Sequence, residues 1–198
     1  NAGPVICAEG YLFAMERRGY LQAGAFVPEV VLDHPEVVTQ LHREFIRSGS
    51  DVVQAFTYYG HREKLKIIGK EDKLEALQKN ALKIAKDAAN EFPDLDLMVA
   101  GNVANTCVYD PNDNSTIEEC RVMFEEQVAW AKEAGVDFII AETLSWLEEA
   151  KIALKVIKEA GMIAVTNLTI HQEAKTRDGC TPEDACKCLE DLGADVVG

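Results

Sequence analysis

Three stretches of the chain repeat one phrase: Ser48-Gly49-Ser50-Asp51-Val52-Val53, Ala134-Gly135-Val136-Asp137-Phe138-Ile139 and Leu192-Gly193-Ala194-Asp195-Val196-Val197. Each reads as a helix end, a turn and a strand start. The glycine supplies the left-handed residue that closes a helix, and the apolar run after the aspartate suits a strand buried on both faces. Glu159-Ala160-Gly161-Met162-Ile163-Ala164 is a looser copy. Between the phrases lie helix starts: Pro35 opening the segment through Phe45, Ser115 with Glu118, Ser145 with Glu148, and Thr181-Pro182 with Asp184. The pattern predicts strands near Val5–Ala8, Val52–Phe56, Leu97–Ala100, Phe138–Glu142, Ala164–Leu168 and Val196–Gly198. It predicts helices near Pro35–Ser48, Lys70–Glu91, Thr116–Ala134, Ser145–Ala160 and Pro182–Leu192.

Strict alternation with buried strands implies an α/β protein with a parallel sheet, either doubly wound or closed. No Gly-x-Gly-x-x-Gly turn follows a strand and no phosphate loop is present, which removes the usual reasons for an open nucleotide-binding sheet. The expected fold is a parallel (β/α)8 TIM-type barrel, whose full form needs eight strands. Residues 1–198 form a single domain holding about six of its βα units, and the barrel is expected to be incomplete at the carboxyl-terminal end.

A hydrophobic content of 47% in 198 residues is enough for a real core without disulfide staples, so the six irregularly placed cysteines read as reduced thiols of a cytoplasmic protein. A formal charge of -14, with lysines and arginines spread along helices, argues against nucleic acid as a partner. No apolar run approaches the roughly 20 residues of a membrane span, and Asn1–Ala8 lacks the form of a signal peptide.

Glu142 is the most informative single residue. It ends the apolar strand Phe138-Ile139-Ile140-Ala141 just before a helix, which is the rim where barrels carry their chemistry. Position alone leaves open a ligand contact or a carboxylate bonded to loop amides. Tyr58 and Tyr59 follow the second strand and Phe26 lies in an earlier connection. These rings read as apolar cover for the barrel mouth, with a cation box as the alternative. Cys186 and Cys188 fall in a predicted helix at a spacing that sends them to different sides, so with Cys180 they make no zinc knuckle. His34, His42, His61 and His171 are scattered and read as caps or surface groups. Asn102, Asn105 and Thr106 either line a polar pocket or satisfy turn backbone.

An ordered series of segments carries a resemblance. Phe13-Ala14-Met15-Glu16-Arg17-Arg18-Gly19-Tyr20, His34-Pro35-Glu36, Leu41-His42-Arg43-Glu44-Phe45, Gln54-Ala55-Phe56-Thr57-Tyr58-Tyr59, Val99-Ala100-Gly101-Asn102-Val103 and Asp137-Phe138-Ile139-Ile140-Ala141-Glu142 resemble the amino-terminal portion of the betaine-dependent members of the homocysteine S-methyltransferase family. The similarity runs through essentially the whole chain. It implies transfer of a methyl group from betaine or a related donor to homocysteine, giving methionine. It also implies zinc holding the homocysteine sulfur as a thiolate.

The resemblance places Glu142 on the amino acid part of homocysteine, Gly10 presenting backbone N–H to it, and Phe26, Tyr58 and Tyr59 along the donor site. Where the family has Asp-Gly-Gly this chain has Ala8-Glu9-Gly10, so Glu9 is the displaced carboxylate there. A family tryptophan is replaced by Phe26, and the tyrosine after the strand-four glutamate by Thr143. None of the six cysteines matches a ligand position. The zinc ligands are expected beyond Gly198, and no residue here is nominated for metal or as a catalytic group. An open barrel would expose sheet edges, so a homo-oligomer is expected. The competing function is a catalytically inactive, barrel-derived binding or structural protein.

Overall fold

The computed structural model describes residues 3–21 and 26–198. In chain order the elements are α1 (Tyr11–Arg17), α2 (Val30–Asp33), α3 (Pro35–Arg47), β1 (Val52–Gln54), α4 (Arg62–Ile67), α5 (Leu74–Asn90), β2 (Met98–Ala104), α6 (Ser115–Ala134), β3 (Phe138–Leu144), α7 (Leu147–Glu159), β4 (Ala164–Leu168), α8 (Pro182–Asp191) and β5 (Val196–Val197). All strand pairs are parallel, and the spatial order β1-β2-β3-β4-β5 follows the chain. The helices keep the same order in their own layer: α3 packs on α5, α5 on α6, α6 on α7 and α7 on α8. A doubly wound sheet reverses its strand order at a switch point and splits its helices between two faces; this one does neither. It is an arc of a singly wound (β/α)8 barrel.

The repeated aspartates explain how neighbouring staves are held in register. Asp51 Oδ2 accepts the amide of Ile6 at 2.8 Å, Asp137 Oδ2 that of Val99 at 2.7 Å, and Asp195 Oδ2 that of Ala164 at 2.8 Å. Each aspartate's own N–H returns to the carbonyl of that same residue, at 2.8, 2.8 and 3.0 Å. Side chain and backbone thus clamp the start of one strand to the start of the strand before it. The glycine before each aspartate closes the preceding helix, as at Gly135, where φ is 71°.

Side chains alternate across the sheet. Val53, Val99, Ile139, Ala141 and Ala164 join the large core under the helices, while Val52, Ala100, Phe138 and Ile140 form a separate apolar cluster on the concave face, with Met98 and Val165 against it. Two residues further along each strand, the concave face turns polar at Gln54, Asn102 and Glu142. A third cluster, built on Tyr11, Met15, Val31, Leu41, Phe56 and Leu77, anchors α1 to α3 and α5.

The expected first strand, Val5–Ala8, is reduced to a single bridge from Cys7 to Val52. Val5 and Ile6 are exposed, and among the described residues the segment pairs with β1 alone. The expected helix over Lys70–Glu91 starts later, at Leu74, after a one-turn 3-10 segment, Glu71–Lys73. β2 and β3 run past their expected ends to Ala104 and Leu144. Ser145 does not cap α7; its hydroxyl lies 2.9 Å from His171 Nε2, whereas Thr181 does cap α8, accepting the Asp184 amide at 3.2 Å.

Candidate active site at the mouth of the barrel

Glu142 lies near the end of β3, on the concave face. Gln54 Nε2, from the end of β1, donates to Glu142 Oε1 at 2.8 Å, reaching over β2 to do so. Asn102 Nδ2, from β2, donates to the same oxygen. Such a span between non-adjacent strands is possible only across the hollow of a curved sheet. Both donors address Oε1, and Oε2 receives no bond from either. The amide oxygens Gln54 Oε1 and Asn102 Oδ1 are buried and have no partner among the described residues. The cluster therefore offers acceptors and needs donors, which suits a cation bearing N–H groups. Burial raises the Glu142 carboxyl above the ordinary carboxylate range; the Gln54 bond opposes this, Glu9 adds to it, and the Asn102 bond opposes it again.

A cavity of about 660 Å³ opens over this cluster. Glu9, Gly10, Phe26, Tyr58, Tyr59, Glu142 and Thr143 all line it, so the seven residues singled out in the sequence come together on one wall system. Gly10 adopts φ 82° directly before α1, a conformation glycine takes without strain. Tyr59 has φ 58°, and this left-handed step brings the rings of consecutive residues Tyr58 and Tyr59 together, with centroids 4.2 Å apart. In an extended strand they would point to opposite faces. Burial, and then its neighbour Tyr59, push the Tyr58 hydroxyl well above its usual range, so it stays a neutral phenol.

Thr143 has φ 59°, in a strand whose pairing with β4 shifts register between Ala141 and Leu144. A β-branched residue in that region is strained, and the strain is held by the loop after β2: Asn105 Nδ2 donates to the Thr143 carbonyl at 2.9 Å. That loop is pinned in turn by the buried carboxylate of Glu149, whose Oε1 accepts from the Thr106 amide at 2.7 Å and the Thr106 hydroxyl at 2.6 Å. Asn102 thus supports Glu142 from beneath the cavity without lining it, while Asn105 and Thr106 serve the loop.

The sequence did not single out Gln54, which sits inside an apolar run, or Lys64, which also lines the cavity. It misplaced two histidines. His42 and His61 are buried, not capping or superficial: His42 Nδ1 lies 3.0 Å from the Tyr11 hydroxyl, and the His61 ring packs edge-on to Tyr59. Burial lowers His42 to about 3 and His61 to about 4. His34 precedes α3 and is exposed, as expected.

Four of the six thiols are held away from the thiolate form. All six cysteines are free, and burial raises Cys7, Cys107, Cys120 and Cys180 above the ordinary thiol range. Among the described residues no group of three or more His, Cys, Asp or Glu side chains could hold a metal. Zinc therefore finds no ligand set here. No described helix is long and apolar enough to cross a membrane.

An arc of parallel strands wrapped by helices, with an acidic floor and aromatic wall at its carboxyl-terminal mouth, has the architecture of the (β/α)8 barrels, the fold whose chemistry sits at that rim. A homocysteine S-methyltransferase family model matches residues 11–198, and the chain belongs to that family. It is 38% identical over 201 residues to betaine–homocysteine S-methyltransferase 1 of Danio rerio, and 37% identical over 203 residues to that of Xenopus tropicalis. Each match covers 100% of the chain and 49% of the relative, so the chain spans about half the length of these curated relatives. The Sus scrofa protein is 37% identical, with 71% of its length covered. Among solved structures, the metallated form of the homocysteine methyltransferase MmuM from Escherichia coli superposes with a TM-score of 0.84, covering 100% of this chain and 74% of that one at 19% identity. At that identity the likeness speaks for the fold.

Proposed function

We propose that this chain supplies the substrate-binding part of an enzyme that moves a methyl group from betaine or a related onium donor to homocysteine, giving methionine. The observation that carries the reading is the joining of an acceptor-rich carboxylate cluster and a tyrosine pair in one cavity. Glu142 Oε2 and the two orphaned amide oxygens receive the homocysteine ammonium. Gly10, at the start of α1, faces the amino acid carboxylate with its backbone, and Glu9 adds negative charge to the same end. Phe26, Tyr58 and Tyr59 enclose the methyl-bearing cation, whose charge is drawn to ring faces. Thr143 shapes the wall between the two ends.

The residues hold the substrates and exclude water; the geometry of approach is what they contribute to rate. The zinc implied by the family finds no ligands among the described residues, any ligands lie outside them, and no step is assigned to it. We place the enzyme in the cytoplasm as a homo-oligomer, and sedimentation of the full-length protein tests the assembly. The full-length protein, loaded with zinc, should form methionine from homocysteine and glycine betaine. Stoichiometric zinc with no methyl transfer from betaine, methylsulfonium or folate donors would sink the reading and leave an inactive binding protein.

A further inference from the structure

Lys64 stands apart from the other cations of its helix. On α4, Arg62 pairs with Glu126 at 2.6 Å and Lys66 with Glu63 at 3.5 Å. Lys64 has no ion-pair partner among the described residues; its Nζ lies 4.1 Å from the centroid of the Tyr59 ring. It lines the same cavity as Glu9 and Glu142, and it is the sole cationic side chain to do so among the described residues. The cavity lining therefore carries two carboxylates and one ammonium. The face of Tyr59, which the proposed function gives to the donor's cation, already holds a cation.

We infer that Lys64 is a resident cation that selects methyl donors carrying a carboxylate. An onium ion with no negative charge competes with Lys64 for Tyr59 and brings nothing to draw it away. A zwitterionic donor presents a carboxylate that pairs with the ammonium, lifts it from the ring, and leaves the face to the methylated centre. Among the described residues the other charged side chains of the cavity are negative, and none offers a counter-ion to such a carboxylate. The inference rests on the proposed donor site and names the feature of the donor that the site reads.

The test is titration of the full-length protein and its Lys64→Met and Lys64→Arg variants with two probes, glycine betaine and tetramethylammonium. Wild-type protein should prefer betaine. In Lys64→Met, betaine should weaken about tenfold or more, the worth of a lost charge-assisted hydrogen bond, while tetramethylammonium binds equally or more tightly. Lys64→Arg should retain the preference for betaine, which separates charge from loss of packing. Equal weakening of both probes, or no change in either, overturns the inference while leaving the donor site standing. Wild-type protein that binds neither probe overturns the donor site, and the inference with it.

Discussion

Glu142→Gln separates the carboxylate's charge from its place in the scaffold. Both supporting amides, Gln54 and Asn102, donate to Oε1. A glutamine in the same rotamer keeps an oxygen there and puts its amide nitrogen where Oε2 stood. The scaffold bonds survive and the cost of ionising a largely buried carboxyl is removed, so at neutral pH stability should be equal to wild type or higher, not lower. The ligand ammonium, however, meets an N–H donor in place of a carboxylate oxygen. Losing a charge-assisted hydrogen bond costs about 1.5–3 kcal/mol, so L-homocysteine should bind roughly 10- to 150-fold more weakly. Glu142→Ala behaves differently, because it leaves two amide donors facing an apolar gap and should also destabilise the fold by about 2–4 kcal/mol. Calorimetric titration with L-homocysteine and urea denaturation of the full-length variants measure the two effects independently. Binding by Glu142→Gln within twofold of wild type would refute the assignment of the ammonium to this carboxylate. Because burial raises the carboxyl, wild-type affinity should also fall on the acid side at a higher pH than an ordinary carboxylate would give, and Glu142→Gln should lack that limb.

Acid should destabilise the fold well before carboxylates titrate. His42 and His61, lowered to about 3 and about 4 from 6.5, bind protons in the unfolded chain first. The stability they confer is present above pH 6.5 and is lost as pH falls toward those folded values, by up to about 1.4 kcal/mol per pH unit for each ring. Glu142 works the other way, since its raised carboxyl carries a cost when ionised that is relieved on acidification. Urea midpoints that stay flat between pH 6.5 and 4.5 would contradict this balance. Asp137→Ala removes the side-chain half of a strand clamp and should cost about 1–3 kcal/mol in chemical denaturation; an unchanged midpoint would mean the backbone bond alone holds the register. Thr143→Gly should relieve a left-handed β-branched residue and raise stability by up to about 1 kcal/mol, and a lower melting temperature would show that side-chain packing outweighs the strain.

What the sequence reveals follows from the range of the forces involved. The phrase built on Gly-x-Asp is legible because both of its jobs are local: the glycine ends its own helix, and the aspartate reaches one neighbouring strand at a fixed height. Glu142 is legible because parity and position at a strand end set its direction. Gln54 obeys the same parity, two residues after inward-facing Val52, yet a single amide in an apolar run gives no sign that its partner is 88 residues away. The burial of His42 is hidden for a similar reason, its Tyr11 partner being 31 residues distant. Lys64 is the harder case. Its direction depends on a six-residue helix entered from a left-handed tyrosine, and neither feature has a periodic signature. The division has a physical basis. The clamps fix where each strand begins, and with strand length that sets the height at which Gln54, Asn102 and Glu142 meet. The Gln54–Asn102–Glu142 cluster is thus built by the barrel strands themselves, whereas Lys64 hangs on a connection between β1 and α5. On the proposed function, the groups that would receive the amino acid are accordingly tied to the fold, and the group that would read the donor can change with one short loop and helix while the barrel stays intact.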